Sequence, residues 1–214
     1  MSFPLLYVEG RDDLWSIQAL LEKNGVLLTS ETGPVEIKIT NSVSELLDNM
    51  EMFIKASQNR KEPIGFVLDI DENLQSRWTS ICGHLLHVGI NAESVELTAE
   101  GVVISTGKGP VGFWLMPDNV VHSGKLEDFL RTLIKADDKS LPLAQEYVGR
   151  VKTDVSDGKR FRDIDIEKAE MSAWLAVQET PGVPYGTAIK ANILQPHSPV
   201  ADKFVSWFKR LYGI

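Results

Sequence analysis

The sequence predicts an α/β protein: a mostly parallel sheet flanked by helices, with a helical extension at its C-terminal end. Three observations carry this expectation. Strand and helix patterns alternate as β-α-β-α-β-α, then a hairpin, then β-α, which implies a sheet covered on both faces. The runs "LLYV", "IGFVLD" and "GFWLM" are continuously apolar, as central parallel strands are. From about residue 139 the strand pattern stops and helical periodicity takes over. The reading therefore divides the chain into an α/β domain over residues 1–137 and a helical region over 138–214 packed on it.

Each element has its own signal. Residues 4–8 read as a short buried strand. A helix over 11–24 follows, with Leu14, Ile17, Leu20 and Leu21 at helical spacing and Gly25 as its stop. "VEIKIT" alternates like a strand. "NSVSELLDNMEMFIKAS" is a helix, with Ser42 and Glu45 spaced as a capping box. "PIGFVLDID" is the next strand and "ENLQSRWTSICGHLLHVG" the next helix. "SVELTAEGVVIST" reads as a hairpin turning at Glu100-Gly101. "STGKGPVG" sits between strands and reads as a turn. "PVGFWLMPDN" is a buried strand, and "GKLEDFLRTLIKA" an amphipathic helix. Beyond it "SLPLAQEYVGRVKTDVS", "IEKAEMSAWLAVQ" and "PVADKFVSWFKRLYG" are helical, and "QETPGVPYGTAIKANILQPHSP" is a loop rich in Pro and Gly.

Composition bounds the function. The chain has 214 residues, of which 43% are hydrophobic and 24% charged, as in an ordinary globular protein. No apolar run reaches the length of a membrane span. "MSFPLLYVEG" has no basic segment and no small-residue cleavage site, so the expected location is cytoplasmic. The single cysteine, Cys82, excludes an internal disulfide and a cysteine-built zinc site. It lies in an apolar helical pattern and reads as core. The net charge of −8 argues against a broad DNA-coating surface. The basic residues are scattered, with modest concentrations at "GKRFR" and "FKR".

Acids collect where strands end. In open parallel sheets ligands bind at the carboxyl ends of the strands. Glu9, Asp69, Asp71 and Asp118 all fall at such ends. Asp13 follows Glu9 by four residues. Asp69 and Asp71 are two apart, so on an extended strand their side chains point the same way. Glu127 and Asp128 begin the helix after the last strand. Like charges this close repel, and a hard cation such as Mg²⁺ offsets that repulsion with oxygen ligands. The plainer reading is available for each acid alone: Asp12, Asp13 and Glu72 as first-turn acids favoured by the helix dipole, Asp118-Asn119 as turn chemistry after Pro117.

"YVEGRDD" on a first strand and "VLDIDEN" on a third resemble the Toprim domain, the metal-binding fold of topoisomerases, bacterial primases and OLD-type nucleases. "GFWLMPDN", "GKLEDFL" and "AWLAVQETPG" resemble small stand-alone Toprim-like proteins of unknown function related to the OLD nucleases. The resemblance covers about residues 3–136. It implies that Glu9 is a metal ligand and general acid or base, and that Asp69 and Asp71 are the metal-binding pair. It further implies that Asp13 and Glu127 help hold a second ion, that Asp118 matches a later metal-binding acid of that group, and that Lys168 steadies a transition state, the plainer reading of Lys168 being an exposed helix lysine. The implied cofactor is Mg²⁺ or Mn²⁺. The implied activity is nuclease-like phosphodiester hydrolysis on nucleic acid or a nucleotide phosphate. The alternative is a non-catalytic binding module that recognises a phosphate ligand or a partner protein such as an ATPase. A third reading is a degenerate Toprim fold with a purely structural role.

Departures from the family narrow this. Tyr7, Tyr147, Tyr185 and Tyr212 have no recognisable partner motif for topoisomerase chemistry. The chain lacks the phosphate-binding loop of an ATPase and the zinc module of a primase. His84 and His87 share a helix but lack a metalloprotease context, so packing or surface is the plainer reading. His122 stands near the acidic rim. Trp114, Trp174, Phe204, Trp207 and Phe208 read as core and not as a base-stacking platform.

Overall fold

The structure, a computed structural model, describes residues 3–28, 33–154 and 160–214. Among these residues five strands form one sheet. They are β1 (Leu5–Val8), β2 (Glu36–Ile39), β3 (Ile64–Asp69), β4 (Val102–Ile104) and β5 (Val111–Met116). Their order is β2-β1-β3-β5-β4, parallel throughout except for β4, an antiparallel edge. The helices α1 (Arg11–Lys23), α2 (Val43–Arg60) and α3 (Leu74–His87) follow the first three strands, and α4 (Leu126–Arg131) follows β5. Then come α5 (Ser140–Asp154), α6 (Ile166–Leu175), α7 (Tyr185–Lys190) and α8 (Pro199–Tyr212). This is the expected α/β architecture with C-terminal helices. Two residues of the "GKRFR" stretch and the last two of the helix read over "SLPLAQEYVGRVKTDVS" lie outside the described residues.

The pleat sorts the apolar side chains between two faces. Ile64, Phe66 and Leu68 of β3, with Val111, Phe113 and Leu115 of β5, face α2 and α3. Val67, Trp114 and Met116 face the other way, into a cluster that includes α1, α4 and the C-terminal helices. Trp174, Phe204, Trp207 and Phe208 are all buried there, as expected of core aromatics. α8 lies close against the sheet because Gly65 and Gly112, partners across β3 and β5, leave room for it. A Cβ on Gly112 would stand 2.5 Å from Leu211 Cδ2, and one on Gly65 2.7 Å from the Tyr212 hydroxyl. That hydroxyl donates to the Leu5 carbonyl at 2.7 Å.

Three sequence expectations are corrected. The hairpin does not turn at Glu100-Gly101; it is formed by β4 and β5, with residues 105–110 as the turn. Val95 and Leu97 pack on the core without strand pairing, which mimics alternation in the sequence. Gly101, at φ 71°, runs against the Trp207 indole, so the chain there is shaped by α8. The helix read over "GKLEDFLRTLIKA" is a regular α-helix only over Leu126–Arg131. The "QETPGVPYGTAIKANILQPHSP" loop contains α7, entered through Pro184 as N-cap and packed on α1. Gly186 permits that contact: a Cβ there would be 2.5 Å from the Trp15 carbonyl oxygen.

Candidate functional site

β1 and β3 are parallel neighbours, so their carboxyl ends deliver Glu9 and Asp69 to one rim. Backbone hydrogen bonds then link the carboxylates in series. The Asp69 N–H donates to Glu9 Oε1 at 2.9 Å. Asp69 Oδ1 accepts from the Leu126 N–H at 3.0 Å, which docks the first turn of α4 and brings Glu127 to the rim. Asp13, at the third position of α1, accepts the Gly10 N–H at 2.9 Å, closing the helix start. A Cβ on Gly10 would stand only 3.3 Å from that same Asp13 oxygen, so a side chain there would crowd the carboxylate.

Asp71 behaves differently from the expectation. The strand ends at Asp69 and Asp71 adopts a left-handed conformation, φ 60°. The alternation that would align Asp69 with Asp71 does not extend that far. Instead Asp71 forms an antiparallel bridge with Gly124, with N–H···O distances of 3.0 and 3.1 Å. Its carboxylate takes Arg77 Nη2 at 2.5 Å, while Arg77 Nε donates to the Asp69 carbonyl at 3.0 Å.

Glu9, Asp12, Asp13, Asp69, Asp71 and Glu127 line one cleft of about 620 Å³. Lys168, the candidate cation, lines it too, with Arg11, Lys125, Arg162 and Asp165. Lys125 Nζ donates to the Ile164 carbonyl, and Arg162 pairs with Asp165 at 2.7 Å. The far wall is thus built by the segment that leads into α6. Asp118 is not part of the cleft. Its Oδ1 accepts the Val120 and Val121 N–H groups at 3.1 and 3.0 Å, which is turn chemistry. His122 is not among the cleft-lining residues. His84 and His87 both turn Nδ1 toward Glu51, at 3.4 and 2.8 Å, across the α2–α3 surface.

Four of the cleft carboxyls, Glu9, Asp13, Asp69 and Glu127, hold their protons unusually well. Burial pushes Glu9 up to about 7; the Asp69 N–H opposes this, and the charges of Asp13 and Asp71 add to it. Burial likewise pushes Asp13 up to about 6, with Glu127 and Asp12 contributing. Asp69 is raised well above the ordinary carboxyl range, first by desolvation, then by Glu9, Asp13, Asp71 and Glu127. Glu127 is raised by burial, against the pull of Lys168 and Lys125. The cause is common: charged oxygens are withdrawn from water and face one another.

An all-oxygen set of mutually repelling carboxylates, with no thiol or imidazole among them, suits a hard cation by its chemistry. As the side chains stand, no group of three His, Cys, Asp or Glu among the described residues is placed to hold a metal ion. Four of the acids are engaged elsewhere: Glu9, Asp13 and Asp69 with backbone N–H groups, Asp71 with Arg77.

Sequence reasoning missed Arg77 and Lys125, and weighed Tyr185 only as a topoisomerase nucleophile. Arg77 stands in the first turn of α3, directly after the Asp-x-Asp stretch, a position that could have drawn notice. Tyr185 belongs to the unrecognised α7. Its hydroxyl is raised by burial and then by Glu127 and Asp12, so it sits within their field.

The fold and cleft define an α/β protein whose parallel sheet carries a carboxylate cluster at its C-terminal edge. The chain belongs to the DUF3226 family, described as a protein of unknown function, whose model matches residues 4–213. No curated protein and no solved structure matches the chain. Among the described residues no helix is long and apolar enough to cross a membrane.

Proposed function

We propose that the cleft takes up Mg²⁺ or Mn²⁺ and serves phosphodiester hydrolysis, in the manner of the Toprim-like nucleases that the sequence resembles. One observation supports this most: Glu9, Asp13, Asp69, Asp71 and Glu127 converge with Lys168 on a single cleft large enough for a nucleotide phosphate. In this reading Glu9, Asp69 and Asp71 hold one ion, and Asp13 with Glu127 helps hold a second. The bound ions would supply Lewis-acid polarisation of the phosphoryl group and a more acidic water. The protein's own groups do the rest. Glu9, raised to about 7 by burial without a bound ion, must give up that proton when its carboxylate takes up the cation, so uptake releases a proton near neutral pH. Lys168 and Lys125 bring positive charge to the cleft, where an anionic substrate would meet it.

A second reading has its own support. Lys125, Ile164, Asp165 and Lys168 close one side of the cleft, and a walled rim suits a phosphate-binding module or the docking of a partner such as an ATPase.

The test is cleavage of labelled single-stranded DNA, duplex DNA and RNA in Mn²⁺, comparing the natural protein with Asp69→Asn. Hydrolysis of at least one substrate, reduced about a hundredfold or more in the variant, is the expected result. Mn²⁺-dependent oligonucleotide binding with no cleavage would replace the enzyme with the binding module.

A further inference from the structure

Arg77 stands between two hollows. On one side is the acidic cleft, which Asp69 and Asp71 line. On the other is a hollow of about 460 Å³ lined by Asn73, Ser76, Arg77 and Ser80, which shares Asp71 and Ile164 with the cleft. The guanidinium spans the Asp69 carbonyl and the Asp71 carboxylate, and its side chain is only 14% exposed. Its charge also reaches Glu9, whose pKa it lowers. Arg77 thus brings positive charge to Asp71 and Glu9, while Lys168 and Lys125 act on Glu127.

We infer that Arg77 is a built-in competitor for the divalent cation: a latch that holds Asp71 when the cleft is empty of metal and must release it for Asp71 to serve as a ligand. The inference rests on the cation-binding reading above. The left-handed turn at Asp71 and its bridge to Gly124 fix the backbone, so the exchange is confined to side chains. Arg77 has somewhere to go. The Asn73–Ser80 hollow offers hydroxyl and amide groups beside Arg77, and it adjoins the cleft through the shared Asp71 and Ile164. A forked donor released beside a metal site is well suited to a phosphate oxygen of the incoming substrate. Cation uptake thus arms the arginine, and an empty site keeps it sequestered.

Competition of this kind predicts the direction of a substitution. Removing the positive charge that neutralises Asp71 should strengthen metal binding, although it weakens the metal-free protein. The experiment is calorimetric titration of Mn²⁺ into the natural protein, Arg77→Gln and Arg77→Lys, with melting temperatures recorded with and without Mn²⁺. The expected result is about tenfold or greater tightening in Arg77→Gln, together with a larger Mn²⁺-induced rise in melting temperature. Arg77→Lys keeps the charge but loses the fork, so its affinity should fall between the two; it also serves if the glutamine variant fails to fold. Equal or weaker Mn²⁺ binding in Arg77→Gln, beside measurable binding in the natural protein, would overturn the latch and leave the cation site standing. Absence of binding in all three proteins would overturn both.

Discussion

Glu9 keeps its proton to about pH 7 because its carboxyl is desolvated beside other carboxyls. That has a consequence for stability. The folded protein retains a proton that the unfolded chain, with an ordinary pKa of 4.5, releases earlier. Stability is therefore full below about pH 4.5 with respect to this group and falls as pH rises towards 7, by up to about 3 kcal/mol. Asp13, raised from 3.8 to about 6, acts in the same direction over a lower window. Glu9→Gln removes the charge while its amide oxygen can still accept the Asp69 N–H. The metal-free melting temperature should decline between pH 5 and pH 8, and the decline should flatten in Glu9→Gln. A melting temperature that rises across this range would contradict the burial argument. At this scale the sequence was informative about Glu9, Asp13, Asp69 and Glu127, because strand ends and first helical turns are set by local pattern. It was misleading about Asp118, whose carboxylate is consumed by its own turn. Arg77 escaped notice because its pairing depends on the left-handed backbone at Asp71, which alternation rules do not anticipate.

At the scale of elements, α8 is held by a glycine pair in the sheet. Gly65 and Gly112 stand side by side in β3 and β5, and Leu211 and Tyr212 occupy the space their missing side chains leave. Gly112→Val should overpack this contact and destabilise the protein by about 2–3 kcal/mol, a fall of roughly 5–10 °C in melting temperature. Leu211→Ala in the same chain should recover part of that loss, since the clash is with its Cδ atoms. Thermal unfolding of both variants checks this, and an unchanged melting temperature in Gly112→Val would mean that α8 does not sit this close. The continuous apolar runs of β3 and β5 announced buried parallel strands in the sequence, and Phe204, Trp207 and Phe208 announced a buried helix. What they did not announce was α7. Its six residues lie among Pro and Gly, and its packing on α1 depends on Gly186 approaching the Trp15 backbone, a tertiary contact without a local pattern.

Across the whole molecule, a chain of net charge −8 gathers six of its acids at one sheet edge, with Arg162 and Lys168 of the C-terminal region adding positive charge to the opposite wall. The two regions read in the sequence meet at this cleft: one apolar cluster runs from α1 and β1 through α4 to α8. The cleft's lysines alone do not neutralise its acids, so an anionic substrate would approach against the field unless cations accompany it. That places the central claim on cation binding. The most direct measurement is a calorimetric titration of Mn²⁺ into the natural protein and Asp69→Asn at pH 7.5, above the values of about 7 and about 6 to which Glu9 and Asp13 are raised. Saturable binding in the natural protein that is lost in Asp69→Asn is the predicted result. No binding at millimolar Mn²⁺, or equal binding in the two proteins, would contradict the account.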